Sequence, residues 1–423
     1  MNSNLKMFKN KRITIMGLGL HGGGVGIAKF FYKQGAKILI TDLKTETQLK
    51  ESLEKLKKLK IKFVLGKHRQ EDFKKADLII KNPDVSSDSP YLIIARKHNI
   101  PIETDISIFF DLCKVPIIGI TGTKGKSTTA FLSYLILKSK YPKTFLAGNI
   151  GVSPLEILDK VNESKQAKVI LELSSFELEN LHKSPQIALI TNLFPDHLNR
   201  YKNFKDYIKA KQAIFKYQKK DDILIINYYD AESRRFIRKA LSKIYYFKGS
   251  NTEAALSIAK IFKIPKKNIN KILSNFKGVP SRQELISVKR GVRYINDTTA
   301  TTPQSVILAI NEFKERFPKS KIILIAGGMD KNLEYKNLAE EIKKNVNNII
   351  LLPGSATDKI KNRLNKLKTD YSDSTSMAQA VKIADNIAQK DDIVLLSPGA
   401  ASFNLFKNEF HRGDEFKKAV KQL

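Results

Sequence analysis

The sequence has very little cysteine, and Cys113 is the only one among its 423 residues. A single cysteine cannot form a disulfide within the chain, so we expect a reducing compartment and therefore a cytoplasmic protein. The opening residues MNSNLKMFKNKR contain no apolar stretch of the kind that marks a secretory signal peptide. No apolar run approaches the roughly 20 residues that a membrane-spanning helix needs, and we expect no membrane partner.

Negative charge is also scarce, since 42 Asp and Glu residues face 75 Lys and Arg residues for a net charge of +33. A field of that sign attracts nucleic acids, anionic lipids and phosphorylated ligands. Lysine accounts for most of the excess, however, and it is spread along the whole chain. Proteins that read nucleic acids favour local clusters of arginine interleaved with aromatic residues. We interpret the charge as a solvated, lysine-rich surface and expect no nucleic-acid partner.

Two patterns alternate along the chain. Short apolar runs typical of strands include RITIM, KILIT, DLIIK, PIIGI, KVILEL, IALITNL, DILIIN, VRYIND, KIILIAGG, NIILLPG and DIVLLSPG. Stretches typical of helices, such as residues 45–60 and 204–219, lie between them. This alternation predicts an α/β protein built on parallel sheets, with ligands bound beyond the carboxyl ends of the strands. The motifs divide the chain into three expected domains, residues 1–112, 113–279 and 280–423.

The first expected domain opens on the glycine-rich segment GLGLHGGGVG, which follows the run RITIM. Gly17, Gly19 and Gly22 match GxGxxG, a turn that lets the backbone approach a diphosphate at a helix end. Asp42 closes the next run twenty residues later, where a nicotinamide cofactor would place its ribose-binding acid. An NAD-dependent oxidoreductase is therefore one interpretation, although it gives the second domain no role.

The second expected domain carries GITGTKGKSTTAF, between the run VPIIGI and a helical pattern over residues 130–138. A strand, a glycine turn, a lysine, a hydroxyl residue and a helix form the layout that cradles phosphates. Gly122 lies only three residues before Gly125, so the spacing departs from GxxxxGK[ST]. Lys126 is expected to reach the terminal phosphates of ATP, and a neighbouring hydroxyl to meet Mg²⁺. The predicted ATP-binding residues of this segment are Gly122, Thr123, Lys124, Gly125, Lys126, Ser127 and Thr128.

Acidic, imidazole and amine side chains follow the next strand-like runs. Glu172 ends one run, where a carboxylate could hold a metal ion near the phosphate loop. Asp196 and His197 follow another run, and Lys209 and Lys211 stand in the segment YIKAKQAIF. Taken singly, each of these residues also has an ordinary interpretation as a polar strand end or a solvated helix face.

Together these segments resemble the Mur ligases. The matching motifs are TGTKGKST, GNIG at residues 148–151, ELSSFELE and NLFPDHLNRY followed by YIKAKQAIF. ELSSFELE most resembles the members that add D-glutamate. The resemblance continues through GVRYINDTTATTP, AGGMDKN and LLSPGAASFNLFKNEFHRGDEF, and so covers nearly the full length. It implies a Rossmann-like N-terminal domain that binds a UDP substrate, a central P-loop ATPase-like domain with a parallel sheet, and a Rossmann-like C-terminal domain that binds the amino acid.

The resemblance implies an ATP-dependent amide ligase of peptidoglycan precursor synthesis. Its partners would be UDP-N-acetylmuramoyl-L-alanine and D-glutamate, joined through an acyl phosphate, and the chain is expected to act as a monomer. The implied catalytic residues are Lys126, His197 and Lys211. Two Mg²⁺ sites are implied, with Ser127, Glu172, His197 and Lys211 as the metal-binding residues. Lys211 matches the family's carbamylated lysine, a modification that requires a neutral amine and hence a lowered pKa, and Lys209 is its nearby competitor.

The remaining site residues are also carried over by resemblance. Contacts with the UDP substrate are implied for Gly19, Leu20, His21, Asp42 and Asn149. Contacts with ATP outside the phosphate loop are implied for Asn251, Arg282 and Asp297. The D-glutamate pocket is implied to contain Thr301, Lys331, Ser402 and Phe410.

The sequence departs from the family pattern at several of these positions. Thr299 replaces a lysine that many relatives have, Ser281 replaces a histidine, and KNEFHRG stands where KNFEERG is common. These departures leave open a Mur-type ligase that adds a different amino acid. A folylpolyglutamate synthase, which shares the phosphate loop, would lack the nucleotide-binding first domain.

Overall fold

The computed structural model describes residues 7–19, 22–197, 200–276, 278–330, 333–402 and 405–423. The chain divides into two compact units, Met1–Ser274 and Asn275–Leu423, called the first and second units below. The first unit contains two sheets and the second contains one. The α/β class predicted from the alternating pattern is confirmed, whereas the domain boundaries proposed from the sequence stay predictions.

The first sheet has five parallel strands in the order β3-β2-β1-β4-β5. Its strands are β1 Arg12–Met16, β2 Lys37–Asp42, β3 Lys62–Leu65, β4 Leu78–Lys81 and β5 Ile102–Glu103. Its helices are α1 Gly23–Lys33, α2 Glu46–Glu54, α3 Gln70–Lys74, α4 Pro90–Lys97 and α5 Asp105–Leu112. The strand order reverses direction between β1 and β4, and such a switch point opens a crevice at the carboxyl ends of the strands. The glycine-rich segment therefore leads into that crevice.

The second sheet has six parallel strands in the order β11-β10-β9-β6-β8-β7. They are β6 Ile117–Thr121, β7 Thr144–Gly148, β8 Lys168–Glu172, β9 Ile187–Ile190, β10 Ile223–Asn227 and β11 Lys243–Phe247. The helices are α6 Lys126–Lys138, α7 Pro154–Asn162, α8 Ser175–Leu178, α9 Phe204–Lys216, α10 Ala231–Arg234 with a 3₁₀ turn Arg235–Lys239, α11 Asn251–Ile261 and α12 Lys266–Asn275. Strand β6 lies between β8 and β9, so the phosphate-loop segment emerges between the ends of these two neighbours.

The third sheet, in the second unit, is mixed and has the order β12-β13-β17-β14-β15-β16. Its strands are β12 Glu284–Lys289, β13 Val292–Asn296, β14 Ile322–Gly327, β15 Asn348–Leu352, β16 Ser372–Asp373 and β17 Ile393–Leu396. Its helices are α13 Pro303–Arg316, α14 Lys336–Asn345, α15 Ser355–Lys366, α16 Met377–Ile387 and α17 Glu409–Gln422. Only β12 runs antiparallel, because Arg290 and Gly291 both adopt positive φ, 49° and 79°, in a tight two-residue hairpin.

One continuous apolar cluster joins the two sheets of the first unit. Helices α1 and α7 both contribute to it. They lie so close together that a Cβ at Gly26 would be 2.3 Å from the Glu156 Oε1 atom. Strands β6, β8 and β9 read as unbroken apolar runs since helices cover both faces of a parallel sheet. None of the helices in the described segments combines the length and the apolarity that a membrane crossing demands.

Leu171 offers a direct test of this core, because it lies in strand β8, between β6 and β7, and is 0% exposed. We expect Leu171→Ala to lower the free energy of unfolding by about 2–5 kcal/mol, since it removes buried methyl groups and leaves a cavity. Leu241→Ala is the matched control at a position that is 70% exposed, with an expected change below about 0.5 kcal/mol. Urea titration followed by circular dichroism measures both, and equal losses would contradict the assigned core.

Candidate functional site

The phosphate-loop segment occupies a turn that only glycine can form at two points. Gly122 has φ 147°, and a Cβ there would lie 1.9 Å from the Thr191 Oγ1 atom. Gly125 has φ 81°, and a Cβ there would lie 2.1 Å from the Asn251 Oδ1 atom. Gly125 is also the N-cap residue that immediately precedes helix α6, and it supplies no capping side chain. The backbone N–H groups of the first turn and the positive end of the helix therefore face the loop, where they favour an anion.

Lysine and hydroxyl side chains complete the loop. The Lys126 Nζ atom donates to the carbonyl oxygens of Gly122 at 3.0 Å and Thr123 at 2.8 Å. Ser127 and Thr128 follow in the first turn of α6, half-buried. The Tyr207 hydroxyl donates to the Thr123 Oγ1 atom at 3.1 Å, which fixes the loop against helix α9. The structure thus brings the whole predicted ATP-binding segment into one concave turn.

Glu172 lies at the end of β8, beside the phosphate-loop strand β6. Its side chain is 0% exposed, and its Oε1 atom accepts a hydrogen bond of 2.9 Å from the Asn149 Nδ2 atom. Its Oε2 atom is buried without a hydrogen-bond partner among the described residues. A buried carboxylate oxygen without a partner is costly, and a carboxylate oxygen is the ligand that Mg²⁺ prefers. Glu172 therefore fits a magnesium ligand.

The described side chains of this site do not by themselves form a complete metal-binding site. Across the described ranges, no three His, Cys, Asp or Glu side chains form a group that could hold a metal ion. Mg²⁺ commonly binds through one or two carboxylates together with substrate phosphates and water. The arrangement at Glu172 fits that second kind of site, in which the nucleotide supplies part of the coordination.

Lys211 is the buried amine of the site, with 1% of its surface exposed. Its Nζ atom donates to the Gly122 carbonyl oxygen at 2.9 Å and to the Thr121 Oγ1 atom at 3.3 Å. Burial lowers the pKa of Lys211 well below its ordinary value, and the charge of Lys126 lowers it further, although nearby carboxylates oppose the shift. Lys209 lies two residues earlier on α9 and is exposed, because residues two positions apart on a helix point to nearly opposite sides.

His197 lies at the rim of the site, in the loop after β9. Its backbone has a positive φ of 53°, and 45% of its side chain is exposed. Its ring contacts Phe176 at a centroid distance of 4.9 Å, and its Nε2 atom lies 3.6 Å from the Asp196 Oδ2 atom. Partial burial lowers the pKa of His197, and Asp196 opposes that shift. A neutral imidazole at this rim is available as a metal ligand.

Two buried carboxyl groups near the site escaped the sequence analysis. Burial raises the pKa of Glu177 to about 8, and it raises the pKa of Asp105, which accepts a hydrogen bond from the Ser153 hydroxyl at 2.9 Å. Glu177 forms a capping box with Ser174 at the start of α8. The sequence SSFE carries the S-x-x-E signature of that motif, so this local role could have been predicted.

The glycine-rich segment after β1 is held by Asp42. The Asp42 Oδ2 atom accepts from the backbone N–H of Leu18 at 2.9 Å and of Gly19 at 3.2 Å, while Oδ1 accepts from Lys44 at 2.9 Å. Asp42 is 4% exposed, so its carboxylate is engaged inside the protein. Asp42 thus holds the glycine-rich turn from within the protein, and its predicted contact with the UDP substrate stays a prediction. Leu20 and His21, also predicted to bind the UDP substrate, lie outside the described residues.

The second unit brings its own predicted residues together. Asp297 follows β13 and is 6% exposed; its Oδ2 atom accepts from the Ser397 hydroxyl at 2.9 Å, and its Oδ1 atom accepts from the Gln283 N–H at 3.2 Å. Burial raises the pKa of Asp297 to about 7. The charge of Arg282 opposes that shift, which places Arg282 close enough to act on the carboxylate.

The predicted amino-acid pocket is only partly described. Ser402 is buried, and its hydroxyl has no hydrogen-bond partner among the residues that the structure describes. Phe410, at the start of α17, is 54% exposed, and Thr301 lies in the loop before α13. Lys331 lies outside the described residues. Thr299, at the position of the usual family lysine, donates its hydroxyl to the Ser281 carbonyl oxygen at 3.0 Å.

Arg412 is a further residue that sequence reasoning missed in this unit. Its guanidinium is 0% exposed and donates to Thr298 Oγ1 at 3.0 Å, to the Thr298 carbonyl at 2.9 Å and to the Ala400 carbonyl at 3.1 Å. It therefore ties the loop after β13 to the loop after β17, both of which carry predicted pocket residues. Burial lowers its pKa to about 10.

Parallel sheets with a glycine turn, a lysine and a helix at a strand end define a class of α/β proteins that bind phosphates. Three family descriptions match the chain: "Mur ligase MurD-like, N-terminal domain" at residues 11–104, "Mur ligase middle domain" at 120–282 and "Mur ligase, glutamate ligase domain" at 281–399. A relative from Borreliella afzelii (strain PKo), named UDP-N-acetylmuramoylalanine--D-glutamate ligase, is 40% identical over 99% of both chains. The chain therefore belongs to the Mur ligase family.

Solved structures support the same fold. The UDP-N-acetylmuramate-alanine ligase of Thermotoga maritima matches with a TM-score of 0.58 at 19% identity, over 98% of this chain and 100% of the other. The MurF ligase of Thermotoga maritima, solved in complex with ADP, matches with a TM-score of 0.52 at 18% identity, over 91% of this chain and 95% of the other. The predicted fold class, a three-domain α/β protein with a parallel central sheet, is thereby confirmed.

The raised pKa of Asp297 predicts a pH dependence for the second unit. A carboxyl group whose pKa is higher in the folded than in the unfolded state stabilises the fold below about pH 4, and that contribution is lost as the pH rises through about 7. We expect the melting temperature of the second unit to fall between pH 5 and 8, and to fall less in Asp297→Asn, which cannot titrate.

Differential scanning calorimetry across this pH range measures the effect. Ser397→Ala is a useful companion, because it removes the hydroxyl that donates to the Asp297 carboxylate and lowers its pKa. The melting temperature of Ser397→Ala should therefore fall at a higher pH than the melting temperature of the unaltered protein. Equal pH profiles for the unaltered protein and Asp297→Asn would contradict the assignment.

Proposed function

We propose that this protein is an ATP-dependent ligase that joins D-glutamate to UDP-N-acetylmuramoyl-L-alanine, a step in the synthesis of peptidoglycan precursors. The observation that carries the proposal is the buried amine of Lys211 against the phosphate loop, 2.9 Å from the Gly122 carbonyl oxygen. The full-length similarity to a relative named for this activity supports the choice of substrates. Nucleotide substrates and a single cysteine support a cytoplasmic location, and we propose that one chain acts alone.

The first chemical step activates the carboxylate of the L-alanyl group. This carboxylate attacks the γ-phosphorus of ATP, the bond to the β-phosphate oxygen breaks, and an acyl phosphate and ADP result. A free carboxylate is a poor acyl donor, so the transfer supplies the leaving group that amide formation needs. Phosphoryl transfer asks chiefly for positioning and for neutralisation of charge. The N–H groups of the loop and Lys126 supply both.

The second step forms the amide. The amine of D-glutamate attacks the acyl carbon, the carbon–oxygen bond to phosphate breaks, and inorganic phosphate leaves while the amine gives up a proton. We assign the D-glutamate pocket to Thr301, Lys331, Ser402 and Phe410 in the second unit. The Ser402 hydroxyl, which has no partner among the described residues, supports this assignment because a carboxylate of the amino acid offers it an acceptor.

The residues present fit two Mg²⁺ ions. Glu172 and Ser127 would hold one ion, and the supporting observation is the Oε2 atom of Glu172, which has no hydrogen-bond partner within the described part of the chain. His197 and modified Lys211 would hold the second. The ions would supply neutralisation of the phosphate charge, which this chain otherwise leaves to Lys126 and the loop N–H groups.

We further propose that Lys211 is carbamylated. Its neutral amine adds to the carbon of CO₂, a nitrogen–carbon bond forms, and one proton is released, so the neutral side chain becomes an anion. The low pKa supports the presence of the neutral amine. The resulting anion would also be attracted to the ammonium of Lys126, which faces the same loop carbonyl of Gly122.

Phosphate release tests the proposed reaction. With UDP-N-acetylmuramoyl-L-alanine, ATP and Mg²⁺, we expect phosphate release that depends on D-glutamate, and little release with L-alanine or a diamino acid in its place. A colorimetric phosphate assay measures the rate, and mass spectrometry identifies the amide product. Folded protein that releases phosphate with another amino acid but not with D-glutamate would identify a different member of the family.

A pair of lysine variants tests the carbamate. Lys211→Gln should lower kcat by about 100-fold or more, since it removes an anion that would help to hold the Mg²⁺ ion that neutralises the transition state. Lys209→Gln is the matched control, because it lies on the exposed side of the same helix and should keep the unaltered rate. Removal of bicarbonate should slow the unaltered enzyme reversibly. Equal activity of the two variants, or a rate insensitive to bicarbonate, would exclude a catalytic carbamate at Lys211.

A further inference from the structure

Arg200 connects the two sheets of the first unit in a way that no part of the proposed chemistry uses. Its Nη1 atom donates to the Asp84 carbonyl oxygen at 2.8 Å, and its Nη2 atom to the carbonyl oxygens of Pro83 at 3.2 Å and Val85 at 3.5 Å. These three residues form the segment 83–85, which follows β4 of the first sheet. A planar guanidinium is suited to hold several acceptors in a fixed geometry, which an ammonium group is not.

The other side of Arg200 faces the candidate metal ligand His197. The Arg200 guanidinium lies 4.3 Å from the ring centroid of Phe176, whose ring in turn lies 4.9 Å from that of His197. The Arg200 backbone N–H donates to the His197 carbonyl oxygen at 2.9 Å, and its Nη2 atom pairs with Glu179 at 3.2 Å. Only 18% of the Arg200 side chain is exposed, so this arrangement is largely shielded from solvent.

The segment 83–85 is itself connected to the glycine-rich turn of the first sheet. Asn82 immediately precedes it, donates its side-chain amide to the Gly17 carbonyl oxygen at 3.4 Å, and lies so close that a Cβ at Gly17 would be 2.8 Å from the Asn82 Cβ atom. The buried ammonium of Lys81 donates to the Val85 carbonyl oxygen at 3.1 Å and holds the segment from within the first sheet. A displacement of this segment therefore moves both the glycine-rich turn and Arg200.

We infer that Arg200 is a positioning residue that couples the UDP-sugar site at the glycine-rich turn to the metal and phosphate site at His197. The inference rests on the proposed function. The diphosphate of the sugar nucleotide fixes the glycine-rich turn, Asn82 and the segment 83–85 follow, and Arg200 then holds the His197 loop. The sugar nucleotide would therefore tighten the binding of a divalent cation with a nucleotide. Coupling between two binding sites is reciprocal, so the cation and nucleotide must tighten the binding of the sugar nucleotide by the same factor.

Arg200→Lys tests the coupling, because lysine keeps the charge but cannot hold three carbonyls and stack on Phe176 at once. The measurement is the Kd of UDP-N-acetylmuramoyl-L-alanine by calorimetry, in EDTA and again in MgCl₂ with a non-hydrolysable ATP analogue. We expect the unaltered protein to bind about tenfold more tightly in the second condition. In Arg200→Lys we expect the two Kd values to agree within about twofold. A merely structural role would weaken binding in both conditions and leave their ratio unchanged.

Arg96→Lys is the matched control. Arg96 donates to the Ser87 carbonyl oxygen at 2.8 Å, close to the same segment, but it is exposed and belongs to the first sheet's own helix α4. It should keep the ratio of the unaltered protein. A folded Arg200→Lys variant that also keeps that ratio would overturn the inference.

A second variant covers the case in which Arg200→Lys does not fold. Asn82→Ala removes the contact between the segment 83–85 and the glycine-rich turn, so the two Kd values of the sugar nucleotide should likewise become equal. A folded Asn82→Ala variant that keeps the tenfold ratio would overturn the inference. Failure of the proposed function is a different outcome, because the unaltered protein would then neither bind the sugar nucleotide nor form the amide product.

Discussion

A lysine amine buried against the phosphate loop is the constraint on which the catalytic centre depends. Desolvation of a cation is expensive, and Lys211 meets only neutral oxygen acceptors in the loop. The protein can hold it there because β6, β8 and β9 are adjacent and end together, which brings α9 and Glu172 to the same loop. A neutral or carbamylated amine lowers the cost that a charged one would impose. The fold thus creates the conditions for the chemistry before any ligand binds.

Neighbouring side chains pack closely against the backbone of the phosphate loop. The loop admits no side chain at Gly122 or Gly125, since Thr191 and Asn251 already occupy the space that one would need. Asn251 begins α11, so the same contact fixes a second helix against the loop. In the first sheet, the Asp42 carboxylate serves a comparable purpose, because it accepts two N–H groups of the glycine-rich turn. Both glycine turns are therefore held in shape by neighbouring strands and helices.

The sequence predicted the buried parts of this design better than its edges. Apolar runs such as IALITNL became strands, whereas β3 and β11 were missed because these edge strands are largely exposed and lack a regular apolar pattern. Helix α6 starts at Lys126 and not at residue 130, because its first turn, KSTT, is polar and lacks the apolar pattern by which the helix was predicted. Motifs favoured Lys211 over Lys209. Arg200 could not be predicted, because its partners lie on another sheet and are backbone carbonyls that leave no sequence signal.

Charge in this protein acts at two very different ranges. The lysine-rich surface produces a large net charge, but salt screens exposed charges over about 10 Å, so they cannot discriminate one anion from another. Buried groups are screened much less, and among the described residues these include the Lys211 amine in the first unit and the Arg412 guanidinium in the second. Their partners are carbonyl and hydroxyl oxygens of the loops that carry the candidate site residues. Desolvation favours the neutral amine at Lys211, so the positive charge at the phosphate loop comes from Lys126 and the loop N–H groups. The exposed lysines only raise the rate at which anions arrive.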